Sequence, residues 1–284
     1  MYESYWGLKE RPFQNTPDPR FFYYSAQHEE ALNRLRYAVT EQVGAAMLTG
    51  IFGCGKTLII HTLIQELTKT GNYKIACVTN PQLSHIELLR AIAYYLGVPN
   101  LPEKKSEIMA DYIVEKIEET LHNNWSDGKN TVIIIDEAHI IEDKMIQEQL
   151  RLLLNFQLAD RFLAFLLLAG QPELRKNIET NKQLAQRIAI RSHLDRFNKE
   201  DTAKYIMHRL KVAGLSPERT LVGRPETLLS ETALHLIYEG SGGIPRRINH
   251  IVNMALLAAY GKNLTTIDAD IIQDAVKEMG GAEV

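Results

Sequence analysis

Cysteine is nearly missing from this chain: Cys54 and Cys77 are the whole supply in 284 residues. Two thiols cannot build a four-ligand zinc site or a disulfide framework, and a chain of this length folds without either. Long apolar runs are missing too. The longest, "FLAFLLLAG" from Phe162 to Gly170, reaches about half of the roughly 20 residues that a spanning helix needs. The segment "MYESYWGLKERPF" has no basic stretch followed by an apolar core, so a secretory leader is not expected. Together these absences predict a cytosolic chain with no membrane anchor of its own. Charge of one sign is also scarce. A net charge of -3 selects no polyanionic or polycationic partner and argues against a stand-alone nucleic-acid binder. Internal repeats, low-complexity tracts and Gly/Ser linkers do not occur.

What is present is the composition of a globular protein, 45% hydrophobic and 24% charged, which excludes disordered and fibrous classes. Apolar runs too short for surface helices alternate with helical periodicity. "GAAMLTG", "YKIACVTN", "TVIIIDEAH" and "FLAFLLLAGQ" read as buried strands, and "RSHLDRF" as a shorter, more polar fifth. Between them, "GKTLIIHTLIQELTKTG", "SHIELLRAIAYYLG", Ser106 to His122 and the region of Lys144 to Leu158 read as helices. Strands that are apolar on both faces and alternate with helices indicate an α/β fold, a parallel sheet sandwiched by helices. From about Asn198 the strand signals stop. "KEDTAKYIMHRLKVAG", "SETALHLIYEGSGG", "PRRINHIVNMALLAAYG" and "DADIIQDAVKEM" are all helical in pattern. The division expected is a sheet domain over 1–197 and a small all-helical lid over 198–284, with "SPERTLVGRPETLLS" a polar connector inside the lid.

The chemistry gathers at "MLTGIFGCGKTLIIHTLIQEL", Met47 to Leu67. Gly50-x-x-x-x-Gly55-Lys56-Thr57 is the phosphate-loop pattern, set between a predicted strand and a predicted helix as its mechanism requires. Phosphates must come close enough to the backbone to accept from successive N–H groups, and the positive end of the following helix supports their charge. Gly50, Phe52, Gly53, Cys54, Gly55, Lys56, Thr57 and Leu58 are therefore the nucleotide-binding candidates. Lys56 would reach the β- and γ-phosphates of ATP, and Thr57 would ligate Mg²⁺. In "TVIIIDEAH" a carboxylate at the C-terminal end of a buried strand lies at the ligand-binding edge of such a sheet. Asp136 is the second Mg²⁺ candidate and Glu137 the group that polarises the attacking water. "LLLAGQPEL" ends a further strand on Gln171, which is either a γ-phosphate sensor or a turn residue ahead of Pro172. His139, completing "DEAH", reads as a structural residue of its loop, because the chain lacks the second sheet domain of a helicase.

With these motifs the chain resembles the P-loop NTPases of the AAA+ class. More narrowly, "GLKERPF", "PDPRFFYYS" and "AGQPEL" are similar to the general secretion pathway protein A family and its transposition-ATPase relatives, from Tyr2 to about Met279. The resemblance implies a five-strand sheet with the phosphate-loop strand central, a helical lid, and ATP hydrolysis coupled to assembly. It places a second sensor in "GGIPRRIN", with Arg246 reaching the γ-phosphate, and an inter-subunit arginine finger in "LAQRIAIR", with Arg187 the first candidate and Arg191 the second. Longer family members carry a membrane-spanning segment and a cell-wall-binding domain after the ATPase, to which nothing in these residues corresponds.

Two local questions stay open on the sequence. Pro12 and Phe13 in "RPFQNTPDPRFFYYS" either approach the adenine ring or belong to an arm packed on the sheet domain. Cys54, just before a helix N-terminus and two residues from Lys56, is expected to be an accessible thiol of lowered pKa, whereas Cys77 is expected to be buried in its strand. The function expected is that of an ATPase whose nucleotide-dependent homo-oligomer remodels a membrane-associated secretion, pilus or polysaccharide-export assembly, the chain itself being at most peripheral at the inner face of the membrane. The alternative is a DNA-binding regulator of transposition-type target selection.

Overall fold

A computed structural model of the chain describes residues 2–99, 101, 109–217 and 227–280. Its contacts divide into two compact units, one of residues 26–52 and 59–194 and the other of residues 2–25, 53–58 and 195–280.

The first unit is a five-stranded parallel sheet. β1 (Ala45–Gly50), β2 (Tyr73–Val78), β3 (Asn130–Ile135), β4 (Ala164–Gly170) and β5 (Ile188–Leu194) lie in the order β2-β3-β4-β1-β5. β1, β3 and β4 are the internal strands, and their near-continuous burial is why they read as unbroken apolar runs. The polar pattern of β5 follows from its edge position. Register pairs Thr49 with Gly170, and Ile135 with Leu168. The C-terminal ends of β1, β3 and β4 therefore share one edge.

Helices cover the sheet. α2 (Ala26–Thr40) contacts β1 and β5. α4 (His85–Leu96) starts on a reciprocal capping box between Ser84 and Glu87 and ends on Gly97 at φ +79°, both the ordinary chemistry of helix ends. α5 (Ala110–Ser126) and α6 (Lys144–Leu153) complete the layer that buries Leu88, Ile92, Ile117, Ile133, Leu150 and Leu166 in one core. The expected start of α5 at Ser106 lies outside the described residues. α6 stops five residues before the Leu158 expected, because the chain turns back there to form a bridge from Gln157 to Phe162. Two short helices, α7 (Glu173–Glu179) and α8 (Lys182–Arg187), carry the chain from β4 to β5.

The second unit is helical. α9 (Lys199–Val212), α10 (Glu231–Ser241), α11 (Pro245–Gly261) and α12 (Ala269–Gly280) match the four expected helices. Of the expected connector "SPERTLVGRPETLLS", residues 218–226 lie outside the described residues. One expectation is corrected here. The N-terminal arm was assigned to the sheet domain, but Trp6, Leu8, Phe13 and Phe21 share a core with Leu210, Ile248, Val252 and Leu256 of the helical unit. Tyr2, on the short α1 (Tyr2–Trp6), donates to Asn253 Oδ1 at 2.8 Å, and Trp6 Nε1 donates to the Leu256 carbonyl at 3.2 Å. Arg209, 4% exposed, donates to the carbonyls of Pro12 and Gln14 and stacks over Phe21 at 4.8 Å. A buried guanidinium with two carbonyl acceptors and an aromatic face has its charge well satisfied.

Candidate nucleotide site and its acidic strand ends

The phosphate loop leaves β1 at Gly50 and enters α3 (Lys56–Thr70) at Lys56. Gly53 and Gly55 adopt φ of +81° and +101°, conformations that residues with a Cβ rarely take. Gly53 has a second reason to lack a side chain: a Cβ there would lie 2.8 Å from Arg246 Cβ and 3.2 Å from Ile244 Cγ2. The Arg246 backbone N–H donates to the Gly53 carbonyl at 3.3 Å. The first turn of α11 is thus seated directly on the loop, and the second-sensor candidate Arg246, itself exposed, emerges at the loop it was expected to serve. Lys56 is 5% exposed, Phe52 is 55% exposed, and Thr57 and Leu58 are half-buried.

The expectation for Cys54 is overturned. Its side chain is fully buried, and burial pushes the thiol pKa up, outweighing the lowering pull of Lys56. Proximity to a helix start lowers a thiol's pKa only when water or a cation can solvate the thiolate. Cys77 is corrected as well. It is half-buried, less so than Cys54, and burial with the Asp136 carboxylate nearby pushes its thiol up to about 11. Phe13 and Pro12 are both buried, and the Phe13 ring lies in the helical unit's core under Arg209. That is the packing reading of the arm, with the partner changed from the sheet to the helices.

At the ends of β3 and β4 the sheet unit assembles a second group. Asp136, 3% exposed, follows Ile135, and its Oδ1 accepts from the Glu137 backbone N–H at 2.9 Å. Glu137 sits at φ +52°, ψ +31°, a left-handed conformation that costs a residue with a Cβ about 1–2 kcal/mol. The bend aims its side chain at His139: Glu137 Oε2 lies 3.3 Å from His139 Nδ1, without the alignment of a hydrogen bond. On its other side, His139 Nε2 lies 3.0 Å from Gln171 Nε2. The His139 backbone is clamped too, its carbonyl accepting from Asn177 Nδ2 at 2.9 Å. A Cβ at Gly170 would lie 2.8 Å from the His139 nitrogen, so the glycine that ends β4 is what admits this segment. Sequence reading named Asp136, Glu137 and Gln171 as candidates, treated His139 as part of the loop only, and did not single out Asn177, which carries no motif.

The two arginine-finger candidates are tied within the sheet unit. Arg187 donates to the Leu154 carbonyl at 2.9 Å and to Asn155 Oδ1 at 3.1 Å, and stacks over Phe162. Arg191 is exposed, donates to the Ala185 carbonyl at 3.1 Å and pairs with Glu179 at 3.6 Å. Among the described residues no group of three or more His, Cys, Asp or Glu side chains forms a metal cluster. The Thr57 hydroxyl and the buried Asp136 carboxylate are each oxygen donors of the kind that a hard cation such as Mg²⁺ takes.

A strand running into a glycine-rich loop and helix, with acids at the end of a parallel strand one place removed in the same sheet, defines the P-loop NTPase fold. Residues 39–178 match the family model described as AAA domain, and the chain has the P-loop AAA+ fold, a parallel five-strand sheet covered by helices. It is related to the General secretion pathway protein A of Aeromonas hydrophila, to which it is 35% identical over 99% of its own length and 49% of that protein. The chain therefore spans about half of that relative. It is also 24% identical, over 96% of its length and 73% of the relative's, to an uncharacterized HTH-type transcriptional regulator of Methanocaldococcus jannaschii. Among solved structures, the ORC2 protein of Aeropyrum pernix shares the fold with a TM-score of 0.70 at 19% identity, over 96% of this chain and 72% of that one. Among the described residues no helix is long and apolar enough to cross a membrane.

Proposed function

We propose that this chain binds ATP·Mg on the phosphate loop and hydrolyses it to ADP and phosphate. The observation that carries the reading is the loop itself, with Gly53 and Gly55 at positive φ leading into a helix that opens on the buried Lys56. Loop N–H groups and Lys56 hold the β- and γ-phosphates, and Arg246, seated on the loop through Gly53, serves the γ-phosphate from α11. Thr57 and Asp136 would hold Mg²⁺, which when bound supplies neutralisation of the phosphate charge. Glu137 accepts the proton of the attacking water as the bond to the leaving ADP oxygen breaks. Gln171, ending the strand next to that of Asp136 and Glu137, senses the γ-phosphate. Pro12 and Phe13 act on nucleotide binding only through the arm they anchor.

The relation to general secretion pathway protein A supports a role in which an ATP-dependent homo-oligomer works on a membrane-associated assembly from the cytoplasmic side, with Arg187 or Arg191 completing a neighbour's site. The similarity to a protein described as a transcriptional regulator favours a second reading, that the partner is DNA. Titration with duplex DNA at several salt concentrations separates them, since phosphate contacts give a steep salt slope.

The test of the ATPase itself is a pair of variants. Lys56→Ala should abolish nucleotide binding in calorimetry, because Lys56 neutralises ground-state charge. Glu137→Gln should bind ATP as the parent does and turn over at least about a hundredfold more slowly. Equal loss of affinity in both would reverse the assignment.

A further inference from the structure

We infer that His139 is a positioning residue for hydrolysis, linking the amide of Gln171 to the carboxylate of Glu137. This rests on the ATPase reading above and extends it to a residue outside the phosphate-binding set. The geometry is that of a three-member chain. Gln171 Nε2 lies 3.0 Å from His139 Nε2, and His139 Nδ1 lies 3.3 Å from Glu137 Oε2. An amide nitrogen can only donate, so His139 Nε2 accepts, and the neutral imidazole then carries its proton on Nδ1. That is the nitrogen facing Glu137. The opposite tautomer would set two lone pairs against each other at the carboxylate and two N–H groups against each other at the amide.

Both facing atoms, Glu137 Oε2 and His139 Nδ1, are shut off from water and have no other hydrogen-bond partner. Nothing but this contact serves them, and a small rotation of the Glu137 side chain closes it into a hydrogen bond. The ring has little freedom to look elsewhere. Asn177 holds its backbone carbonyl, Gln147 Nε2 in turn donates to the Asn177 carbonyl at 3.3 Å, and Gly170 lies against its nitrogen and ring. A fixed imidazole beside the carboxylate sets where that carboxylate points. Gln171 chooses the tautomer, so its engagement by the γ-phosphate is communicated to the group that handles the water.

The test compares three substitutions under saturating Mg²⁺ and varied ATP. His139→Ala removes both contacts, His139→Gln keeps only a group that can reach Gln171, and His139→Asn keeps only a donor near the Nδ1 position. The expected result is a kcat lowered about ten- to a hundredfold in His139→Ala and His139→Gln, with KM and ATP affinity unchanged, and substantial recovery in His139→Asn. In a Glu137→Gln background, His139→Ala should change the residual rate no further. Thermal unfolding of each variant separates misfolding from mispositioning, and the Asn variant carries the test should the Ala variant fail to fold. A kcat unchanged in His139→Ala, a loss spread equally over affinity and kcat, or equal rates for Asn and Gln would overturn the role. Wild-type protein without ATP turnover would remove the function itself, whereas turnover in wild type with an unaltered His139→Ala removes only the positioning role.

Discussion

Gly53 and Arg246 meet backbone to backbone, the N–H of Arg246 donating to the Gly53 carbonyl at 3.3 Å with no space for a methyl group between them. The phosphate loop is therefore shaped from two sides, by its own glycine dihedrals and by the start of α11. Gly53→Ala should abolish ATP binding and lower stability by about 1–3 kcal/mol, since it combines positive φ with a clash against a helix start. Calorimetric titration with ATP and a urea melt measure the two effects. A variant that binds ATP with parental affinity would mean that the loop adapts without α11.

The thiols give a prediction with a definite sign. Both folded-state values lie above the ordinary thiol value, so their contribution to stability is present in full below the unfolded pKa near 9.0 and is lost as pH rises through the folded one. For Cys77 the window runs from about 9 to about 11. Unfolding free energy should fall over that window, and less so in Cys77→Ala. At neutral pH a maleimide should label Cys77 faster than the buried Cys54, as peptide mass spectrometry of a time course would record. Faster labelling of Cys54 would show that the loop opens on that timescale.

Arg209 should matter more than a surface arginine on a helix. Its removal leaves the carbonyls of Pro12 and Gln14 and the Tyr205 hydroxyl, which accepts from it at 2.9 Å, without their donor. Arg209→Ala should cost about 2–3 kcal/mol and render the arm protease-sensitive, read by a denaturant melt and by limited proteolysis with N-terminal sequencing. Lys at this position, which cannot form the fork, should recover only part.

Arg187 and Arg191 separate by what each already does in its own subunit. Arg187→Ala should lower stability, because Arg187 ties the end of α6 and Asn155 to Phe162. Arg191→Ala should leave stability within about 0.5 kcal/mol, as for an exposed ion pair. Whichever of the two inactive variants regains ATPase activity when mixed with Lys56→Ala subunits carries the finger, since only a residue acting in a neighbour's site can be complemented. No recovery in demonstrably mixed oligomers would place catalysis within single subunits.

The parallel sheet was legible in the sequence because its internal strands are buried on both faces. "AAMLTG", "TVIII" and "AFLLLAG" leave no room for another reading; of the two edge strands, β5 was marked by its polar pattern, whereas β2, expected to be buried, is only partly buried along its length. The loop pattern and the candidates Asp136 and Glu137 could be named because phosphate chemistry ties residue type to spacing, whereas Gln171 stood out only by its place at a strand end. The short α7 and α8 were not, since each has too few turns for a period to emerge. Nor was the partner of the arm: aromatic residues announce that they will be buried, not what will bury them. Arg209 sits in "KYIMHRLKV" at a spacing that any solvated helix face could show, and only the folded chain reveals that its guanidinium is enclosed. Cys54 misled because its neighbours in sequence supply a field, whereas its pKa is decided by exclusion from water.

The seating of residues 2–25 among helices drawn from residues 195–280 has a consequence for synthesis. The arm leaves the ribosome before its partners, with the entire sheet translated in between. Until α9 and α11 emerge, Trp6, Phe13 and Phe21 have no core to enter, and an apolar, aromatic segment must wait in the open for some 170 residues of elongation, roughly 10–30 s at bacterial to eukaryotic rates. A nascent chain halted after residue 194 should therefore present that segment to chaperones, and release should hide it.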